Sequence, residues 1–529
     1  MNTPVMLDFD WFGLTPIILV LGVGAVQVLL EAFVPRKARW YTQVVVSALT
    51  LVTAFAVTVA IWASGDYLKY KPLAGNEVVA DQTGLFAWII LLLVGFLSVL
   101  VFADKTSQRD GAFAAQPADR PGSADEDLSI RVGYQRSEIF PLLMFSLGGM
   151  MVFVQAESLL TLFVALEVMS LPLYIMAASA RRRRLISQEA GLKYFILGAF
   201  ASAFFLMGAA LYFFMLGTVG FGQYQALSNG APLGKLMQDV AMQHAGDRIP
   251  LLVIAILLIV VGLLFKVAAV PFHAWTPDVY QGAPTPVTGF MAAGVKVAAF
   301  VALLRISNNT FVWMHGANRW IIWTIAGLTI VYGTVMGLRQ TNVKRMLAYS
   351  SIAHAGFLLT ALAGTSGQPA GVYRPTLFYL LAYGVASVGA FGVVTLVRDR
   401  NASGDILGEA TDMRKWAGLG KSNPILAVCM TVFLLSFAGI PFTAGFIGKF
   451  WVFLQAVSVG GTPLVVIAVL ASAATAVFYF RLIKIMFFDE ARGQAVVVQS
   501  QGFTSFAVVL SALITVLLGI APSLVLGLL

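Results

Sequence analysis

Long apolar segments recur along the whole sequence, and they constrain the fold more than any other feature. Fourteen of them approach or exceed the roughly 20 residues that a helix needs to cross a bilayer. Of the 529 residues, 59% are hydrophobic and only 11% are charged, well below the roughly 25% charged content of a soluble domain. The sequence therefore predicts an all-α polytopic membrane protein with about 14 transmembrane helices. The predicted spans are residues 14–34, 43–63, 82–103, 138–155, 158–179, 190–216, 250–274, 283–305, 318–338, 342–363, 375–397, 424–456, 462–487 and 503–527.

Basic residues are distributed unevenly between the loops on the two sides of this bundle. If both termini lie outside, 23 of the 34 lysines and arginines, including Lys344, are assigned to cytoplasmic loops and 7, including Arg305, to outer loops. An excess of Lys and Arg marks the cytoplasmic side, so the net charge of +9 reflects membrane topology and not nucleic-acid binding. The four remaining cations, Lys193, Lys266, Lys296 and Lys449, all lie within predicted spans.

The segment 263–287 places a lysine, a proline and a histidine inside a predicted span. A lysine at the bilayer centre costs about 3 kcal/mol, so Lys266 should face a protein interior or a water-filled route for ions or protons. Pro271 lacks an N–H group and its ring clashes with the carbonyl of Val267, which breaks the helix. Backbone groups freed at membrane depth are tolerated only within protein or along a cavity. This segment therefore predicts an ion or proton site at a broken helix.

A second Pro-Phe pair predicts that the membrane core repeats itself. Pro271 and Pro441 each interrupt an apolar span, and they are 170 residues and five spans apart. An odd number of helices per repeat gives the two copies opposite orientation, as in transporters whose ion sites lie on discontinuous helices near the midplane. Two proline-kinked helices in a long membrane chain would give the same pattern without a repeat. The repeat interpretation divides the chain into three N-terminal helices with a cytoplasmic connector (1–137), a first repeat (138–316), a second, inverted repeat (317–489) and a C-terminal helix (490–529).

Glu167 lies near the middle of the fifth span, where a charged carboxylate is costly unless it is paired. Pairing with a buried lysine would keep both groups charged, and the pair could hold or release a proton when one partner moves. A static ion pair that fixes helix register is the alternative. Buried pairs stabilise a fold poorly compared with apolar packing, so this composition favours proton transfer.

Three lysines and two histidines extend the predicted pathway. Lys193, Lys296 and Lys449 lie on different spans and could form a line of sites along the midplane, although Lys193 could instead extend to the cytoplasmic interface. His273 follows Lys266 by seven residues, which would place it on the same helix face if the turns were regular. His354 has a tyrosine and two serines one turn before it. Both histidines are candidate proton relays, and a structural role for each is the alternative.

The sequence lacks the motifs of bond-making chemistry. It contains no Gly-rich nucleotide loop after a strand, no metal-ligand spacing and no nucleophile with a base. With Cys429 as the single cysteine, no disulfide or cysteine-ligated iron–sulfur cluster is expected. We therefore expect no cofactor and no metal in this chain, and we expect a gradient or a partner to drive it.

Four motifs carry a family resemblance. They are LEVMSLPLY at 166–174, FKVAAVPFHAWTPDVYQGAPTPV at 265–287, RMLAYSSIAHAGF at 345–357 and PFTAGFIGKFW at 441–451. The chain resembles the N subunits of bacterial proton-translocating NADH-quinone oxidoreductases (respiratory complex I), which belong to the antiporter-like subunit family. The similarity runs from Ser137 to about Asp489. Two features favour the N type over the related M and L subunits: Lys449 where M usually has glutamate, and a chain that stops after fourteen helices without the long lateral helix of L.

This resemblance implies a fold, a function and a set of site residues. The fold would be an antiporter-like bundle of 14 helices with two inverted five-helix repeats and broken helices 7 and 12. Lys266 would be the broken-helix lysine, Glu167 the fifth-span glutamate, Lys296 the connecting lysine and Lys449 the exit-side lysine. The chain would be a subunit of an NADH:quinone oxidoreductase, a translocase, without a redox centre of its own.

The same resemblance implies the surroundings of the chain. Its partners would be other membrane and peripheral subunits of complex I and the lipid bilayer, with quinone bound elsewhere in the complex. Its location would be the bacterial inner membrane. The polar loop 104–137 is longer than usual for the family, and no role is assigned to it.

Two other functions are compatible with the residues. The first is a sodium/proton antiporter subunit without redox partners. The second is a membrane scaffold in which the buried charges only lock helices together.

Overall fold

The computed structural model describes most of the chain and confirms the all-helical membrane fold. The described residues are 9–75, 77–105, 111–114, 123–132, 136–221, 249–310, 317–362, 370–400, 406–490, 495–497 and 502–529. Within these ranges, 11 helices are long and apolar enough to cross a membrane, and three shorter apolar helices accompany them. The prediction of 14 membrane helices stays a prediction.

Three long helices and a small hairpin form the N-terminal part. These elements are α1 (Trp11–Phe33), α2 (Arg36–Ser64), β1 (Lys71–Ala74), β2 (Val78–Ala80) and α3 (Gln82–Ala103), with β1 and β2 antiparallel. Asp10 and Asp81 cap α1 and α3, because their carboxylates accept hydrogen bonds from the N–H groups of Gly13 and Gly84 at 3.0 and 2.7 Å. Much of the predicted connector 104–137 lies outside the described residues, apart from a short helix α4 (Ala124–Val132).

The described residues of the next part of the chain form seven helices and one π-helical turn. The helices are α5 (Ile139–Phe153), α6 (Leu159–Ala177), α7 (Arg184–Leu216), α8 (Ile249–Val267), α9 (Trp275–Gly282), α10 (Thr285–Phe290) and α11 (Lys296–Thr310). The π-helical turn Met291–Val295 joins α10 to α11.

The seventh predicted span is interrupted at its proline, as the sequence predicts. The helix α8 ends four residues before Pro271, and the chain becomes helical again in α9. The freed carbonyl of Phe265 accepts a hydrogen bond from the indole N–H of Trp275 at 3.0 Å. The N–H of Val270 donates to the hydroxyl of Thr329 at 2.9 Å. Side chains thus satisfy backbone groups that a bilayer could not solvate.

The rest of the described chain forms further helices, and the last of them has only four residues. They are α12 (Ala317–Leu338), α13 (Val343–Leu362), α14 (Ala370–Leu396), α15 (Leu419–Ser422), α16 (Pro424–Ala438), α17 (Ala444–Ser458), α18 (Thr462–Phe488), α19 (Phe503–Ile520) and α20 (Ser523–Leu526). Three strands, β3 (Val397–Arg400), β4 (Ile406–Glu409) and β5 (Ala495–Val497), form an antiparallel sheet in the order β4–β3–β5.

The twelfth predicted span, 424–456, is also broken and forms the two helices α16 and α17. Gly439 ends α16 with a φ of 80°, and its N–H group donates to the carbonyl of Leu435 at 3.0 Å. Glycine is the residue that adopts this left-handed conformation at no steric cost. Both breaks predicted from Pro-Phe pairs are therefore present.

The centre of the bundle is formed by α10–α11 and α14. The most apolar parts of Thr285–Ser307 and Gly371–Leu396 are entirely buried, whereas at most 39% of the residues are buried in those of α1, α2, α7, α12 and α18. The exposed positions carry large apolar side chains such as Phe200, Leu328 and Leu470. This arrangement is that of a bundle whose outer helices face lipid and whose inner helices face only protein.

Candidate functional site

Lys266 lies in the last turn of α8, immediately before the helix break, and is only 2% exposed. Its Nζ donates a hydrogen bond to the hydroxyl of Ser170 at 2.8 Å and approaches the hydroxyl of Tyr174 at 3.5 Å. The ring centroids of Tyr174 and Tyr194 both lie 5.4 Å from the same atom. Aromatic faces attract a cation most strongly where water is excluded. The break therefore holds the Lys266 ammonium in an aromatic cage with hydroxyl acceptors.

Glu167 lies one turn before Ser170 on α6, and residues three apart share a helix face. An electrostatic interaction links Glu167 to Lys266, but these two described residues do not form an ion pair within 4.0 Å. The Oε1 atom of Glu167 is buried and has no hydrogen-bond partner within the described part of the chain. The sequence suggested direct pairing, but the hydroxyl that binds Lys266 is that of Ser170, which in turn donates to the carbonyl of Leu166.

Lys296 is the first residue of α11, directly after the π-helical turn, and is 1% exposed. Its Nζ donates to the backbone carbonyl of Ser351 on α13 and lies 5.1 Å from the ring centroid of Tyr383 on α14. Single π-helical turns inside longer helices occur frequently at functional sites. Lys296 thus projects into the centre of the bundle at an irregularity in its helix.

His354 occupies α13 one turn after Ser351 and is 1% exposed. Its Nδ1 is 2.7 Å from the hydroxyl of Tyr379, and its Nε2 is 3.5 Å from that of Tyr479. The Tyr479 hydroxyl in turn shares a short hydrogen bond with Ser350. Both ring nitrogens of His354 therefore face hydroxyl groups that can donate or accept a proton.

Lys449 lies on α17, after the second helix break, and is 4% exposed. Its Nζ donates to the carbonyls of Phe437 and Ala438 at 2.7 and 3.2 Å and to the hydroxyl of Ser472 at 2.8 Å. Those carbonyls end α16, where the helix dipole is negative and the backbone acceptors lack helical partners. The break thus creates the acceptor site that binds this ammonium.

Three of the predicted groups form a cluster, because His354 interacts electrostatically with both Lys296 and Lys449. Lys266 is connected to this cluster through α9. Trp275 of α9 stacks on Tyr194 with ring centroids 4.7 Å apart. Near the other end of α9, the Tyr280 hydroxyl lies near that of Ser351, which also approaches Tyr383.

The hydroxyls of this connection are incompletely hydrogen-bonded. The hydroxyls of Tyr194 and Ser351 are both buried and have no hydrogen-bond partner among the described residues. Buried hydroxyls of this kind are suited to bind water and to pass protons along a chain of donors and acceptors. The polar band therefore runs from Lys266 to Lys449.

Lys193 and His273 lie apart from this band. The Lys193 side chain is 42% exposed and pairs with Glu189 at 2.7 Å and Asp278 at 2.8 Å. Its position agrees with the alternative in which it extends to the interface. His273 lies in the chain segment of the helix break and packs against the ring of Tyr332 at 4.3 Å. Within the described part of the chain, neither residue contacts Lys266, Lys296 or Lys449.

Sequence reasoning missed a fourth lysine that is fully buried. Lys344 was assigned to a cytoplasmic loop, but it lies in the first turn of α13 and is 2% exposed. Its Nζ donates to the carbonyl of Ala283 at 2.8 Å, just beyond the end of α9. The predicted span 342–363 already placed Lys344 at the start of this helix, and that position was the available signal that its side chain could point inward.

Glu409 on β4 is a carboxylate that interacts electrostatically with Lys344. Its Oε1 accepts a hydrogen bond from the hydroxyl of Thr285 at 2.9 Å and lies 3.8 Å from Arg398 Nη1. Burial alone would raise the pKa of Glu409, but the charges of Arg398 and Lys344 outweigh it and lower the pKa to about 2. Glu409 is therefore ionised at neutral pH.

A second buried ion cluster lies near the end of α11. Arg305 is 5% exposed, and its guanidinium binds Asp81 at 2.5 Å, Glu157 at 3.4 Å and the carbonyl of Val154 at 2.7 Å. Burial raises the pKa of Glu157 to about 7, although Arg305 opposes the effect. The sequence placed Arg305 in an outer loop and assigned Glu157 no role. Three separate segments meet at this arginine.

The described residues contain no group of three His, Cys, Asp or Glu side chains that could hold a metal ion. Cys429 is buried and unpaired by any disulfide in this part of the chain. What the site offers chemically is a set of buried proton donors and acceptors at two helix breaks.

Comparison with known proteins gives consistent results over almost the full length. The family described as NADH:quinone oxidoreductase/Mrp antiporter, TM, matches residues 156–475. A protein named NADH-quinone oxidoreductase subunit N from Beutenbergia cavernae is 47% identical, covering 98% of this chain and 97% of that protein. A chain of respiratory complex I from Thermus thermophilus is 30% identical with a TM-score of 0.75, covering 97% of this chain and 98% of that one. A chain of the Mrp complex from Dietzia sp. has the same TM-score at 19% identity, which shows a shared fold.

Proposed function

The chain belongs to the NADH:quinone oxidoreductase/Mrp antiporter transmembrane family, and we propose that it is the N-type, proton-translocating membrane subunit of an NADH-quinone oxidoreductase. Quinone reduction elsewhere in the complex supplies the energy, and this chain carries protons without a redox centre of its own. It is a multi-pass protein of a bacterial membrane, and its partners are the other membrane and peripheral subunits of the complex.

The observation that carries this proposal is the band of buried cations between the two helix breaks. Lys266, Lys296 and Lys449 are each at most 4% exposed, and each ammonium donates to a hydroxyl or a carbonyl. Placing three separate cations in a membrane interior is costly, and none of them is bound to a carboxylate within 4.0 Å among the described residues. Stability alone does not explain such an arrangement, whereas reversible protonation does.

The roles of the site residues follow from their neighbours. Glu167 biases the charge of Lys266 through space, and Ser170 supplies the hydroxyl that accepts a hydrogen bond from Lys266. His354 passes protons between Lys296 and Lys449, assisted by the hydroxyls of Tyr379 and Tyr479. Lys193 and His273 are secondary candidates, since they lie beside the band.

The two breaks support an inverted repeat of five helices, with residues 138–316 as the first copy and 317–489 as the second. Residues 1–137 then supply three flanking helices and the connector, and residues 490–529 supply a final one. With this division the bundle has 14 transmembrane helices, and both termini lie on the outer side. The cytoplasmic excess of basic residues supports this orientation.

A sodium/proton antiporter subunit without redox partners is the competing function. The Mrp chain shares the fold at 19% identity, whereas the subunit N relative is 47% identical over nearly the whole length. The higher identity favours the redox-driven complex. Purification from native membranes in mild detergent separates the two, because only the redox-driven subunit should co-purify with flavin and iron–sulfur subunits.

Lys266→Ala in the assembled enzyme tests the proposed function. We expect NADH-driven proton pumping to fall sharply, because the substitution removes the only ammonium in the aromatic cage described around Tyr174 and Tyr194. Native gels measure assembly in parallel. Unchanged pumping by a normally assembled variant would show that this lysine does not carry protons.

Glu167→Gln supplies a matched measurement, since it keeps the shape of the side chain and removes its charge. A scaffold role predicts equal pumping by this variant and the wild type. Proton transfer through the Lys266 site predicts reduced pumping.

A further inference from the structure

The helix α9 is the physical link between the Lys266 site and the Lys296 site. It has only eight residues, Trp275–Gly282, and it follows the helix break and ends at Ala283, which is extended. A helix this short is not stable on its own, so its position depends on contacts with its neighbours. Whatever holds α9 therefore sets the geometry between the two lysines.

Asp278 lies in the middle of α9 and binds cations from two different helices. Its Oδ2 accepts a hydrogen bond from Lys193 of α7 at 2.8 Å, and its Oδ1 accepts one from Arg345 of α13 at 2.8 Å. Arg345 also donates to Gln281, one turn further along α9, at 2.8 Å. The carboxylate thus ties α9 to both flanking helices at once.

The two helices tied by Asp278 are those that shape the lysine sites. On α7, Tyr194 provides one face of the Lys266 cage and stacks on Trp275 of α9. On α13, Ser351 provides the carbonyl that accepts from Lys296, and Tyr280 of α9 approaches its hydroxyl. A displacement of α9 would therefore change both lysine sites together.

We propose that Asp278 is a positioning residue whose two ion pairs hold α9 between α7 and α13 and so couple proton transfer at Lys266 to proton transfer at Lys296. This inference rests on the proposed function. Asp278 touches neither lysine, and it acts through Trp275 at one end of α9 and through Tyr280 near the other.

The chain offers a matched control for removing the charge. Asp278→Asn keeps a side chain that can accept hydrogen bonds but removes the attraction to both cations. Glu189→Gln removes the other acidic partner of Lys193, which lies on α7 itself and is more exposed than Asp278. Both variants remove one negative charge beside the same lysine, but only Asp278→Asn releases α9.

The experiment measures NADH-driven proton pumping by the assembled complex in membrane vesicles. We expect a large loss of pumping for Asp278→Asn, wild-type pumping for Glu189→Gln and recovery for Asp278→Glu, which restores the charge. Equal pumping by the Asp278→Asn and Glu189→Gln variants would overturn the proposal. So would a failure of Asp278→Glu to recover any pumping, since glutamate can still bind both cations.

A double-mutant comparison separates positioning from a general structural defect. If Asp278 acts through Tyr280, the Asp278→Asn/Tyr280→Phe variant should pump no less than the weaker of the two single variants. If the fractional losses of pumping in the two single variants multiply in the double variant, the two residues act independently. A fully active Tyr280→Phe variant would show that Asp278 does not act through Tyr280. Both results contradict the proposal.

Two further variants distinguish a failure of the positioning role from a failure of the proposed function. If Asp278→Asn does not assemble, Lys193→Gln releases only the α7 side, and wild-type pumping by that assembled variant would contradict the proposal. Lys266→Ala, run in parallel, tests the proposed function itself. Loss of pumping in Lys266→Ala together with normal pumping in Asp278→Asn would refute the positioning role alone.

Discussion

Replacing Gly439 with alanine tests the Lys449 site while leaving every charge in place. A Cβ at this position would lie 3.0 Å from Cδ of Lys449 and 3.4 Å from its Nζ. Ordinary carbon–carbon contacts lie at about 3.5–4.0 Å, so the lysine side chain must move by roughly half an ångström. That movement pulls the ammonium from the carbonyls of Phe437 and Ala438, which it now reaches at 2.7 and 3.2 Å.

The size of the effect follows from two contributions. The φ of 80° at Gly439 costs an L-residue about 1–2 kcal/mol. Losing one hydrogen bond from a charged donor costs a further ~1.5–3 kcal/mol. The backbone strain does not depend on the position of the lysine, so only the hydrogen-bond loss depletes the bound position of Lys449; since about 1.4 kcal/mol is a factor of ten in a population, that depletion should be at least about tenfold.

Gly65→Ala is the matched control, because Gly65 has a φ of 75° and no atom lies within 4 Å of its added Cβ. Both variants carry the backbone strain, but only Gly439→Ala displaces a lysine. The assay is NADH-driven acidification of everted membrane vesicles, normalised to the amount of assembled complex. We expect reduced pumping for Gly439→Ala and wild-type pumping for Gly65→Ala. Equal pumping by the two variants would refute the reasoning about Lys449.

Two buried carboxylates predict opposite dependences of stability on pH. The pKa of Glu409 is lowered to about 2 from 4.5, so its ionised form stabilises the folded chain above pH 4.5, and this contribution is lost as the pH falls towards 2. At neutral pH this contribution to stability amounts to at most about 3 kcal/mol. Glu409→Gln should therefore lower the melting temperature of the complex at pH 7 and make the melting temperature less sensitive to acid. An unchanged dependence of the melting temperature on acid pH would contradict this. The pKa of Glu157 is raised to about 7 from 4.5, so its contribution to stability is full below pH 4.5 and is lost as the pH rises through 7. Glu157→Gln, a neutral mimic, should keep a constant melting temperature over that range, and a decline equal to that of the wild type would show that another group is responsible.

The sequence located both helix breaks because proline acts locally. Pro271 and Pro441 cannot donate a backbone hydrogen bond, so each interrupts a helix wherever the chain places it. The left-handed Gly439 that ends α16 was not part of that prediction. The high cost of burying charge likewise predicted that Lys266, Lys296 and Lys449 face protein, and each is buried.

What the sequence could not predict depends on distances between helices. Direct pairing of Glu167 with Lys266 was a reasonable expectation. The side chain within hydrogen-bond distance of the Lys266 ammonium is instead that of Ser170, on the same face of α6. Lys344 and Arg305 were assigned to loops because a cation near the end of an apolar span usually reaches water. Both are buried because partners distant in sequence, Ala283 and Asp81, meet them inside the fold.

The most direct test of the central claim is the proton pumping of the purified complex in proteoliposomes when Lys296 is replaced by methionine. Lys296 belongs to the cluster with His354 and Lys449, and it binds Ser351, which Tyr280 of α9 approaches, so its removal should interrupt the band. Methionine keeps much of the side-chain volume without the charge. We predict a fully assembled complex that has lost most of its NADH-driven proton pumping. Wild-type pumping by that complex would contradict the claim that protons pass through the buried lysines of this chain.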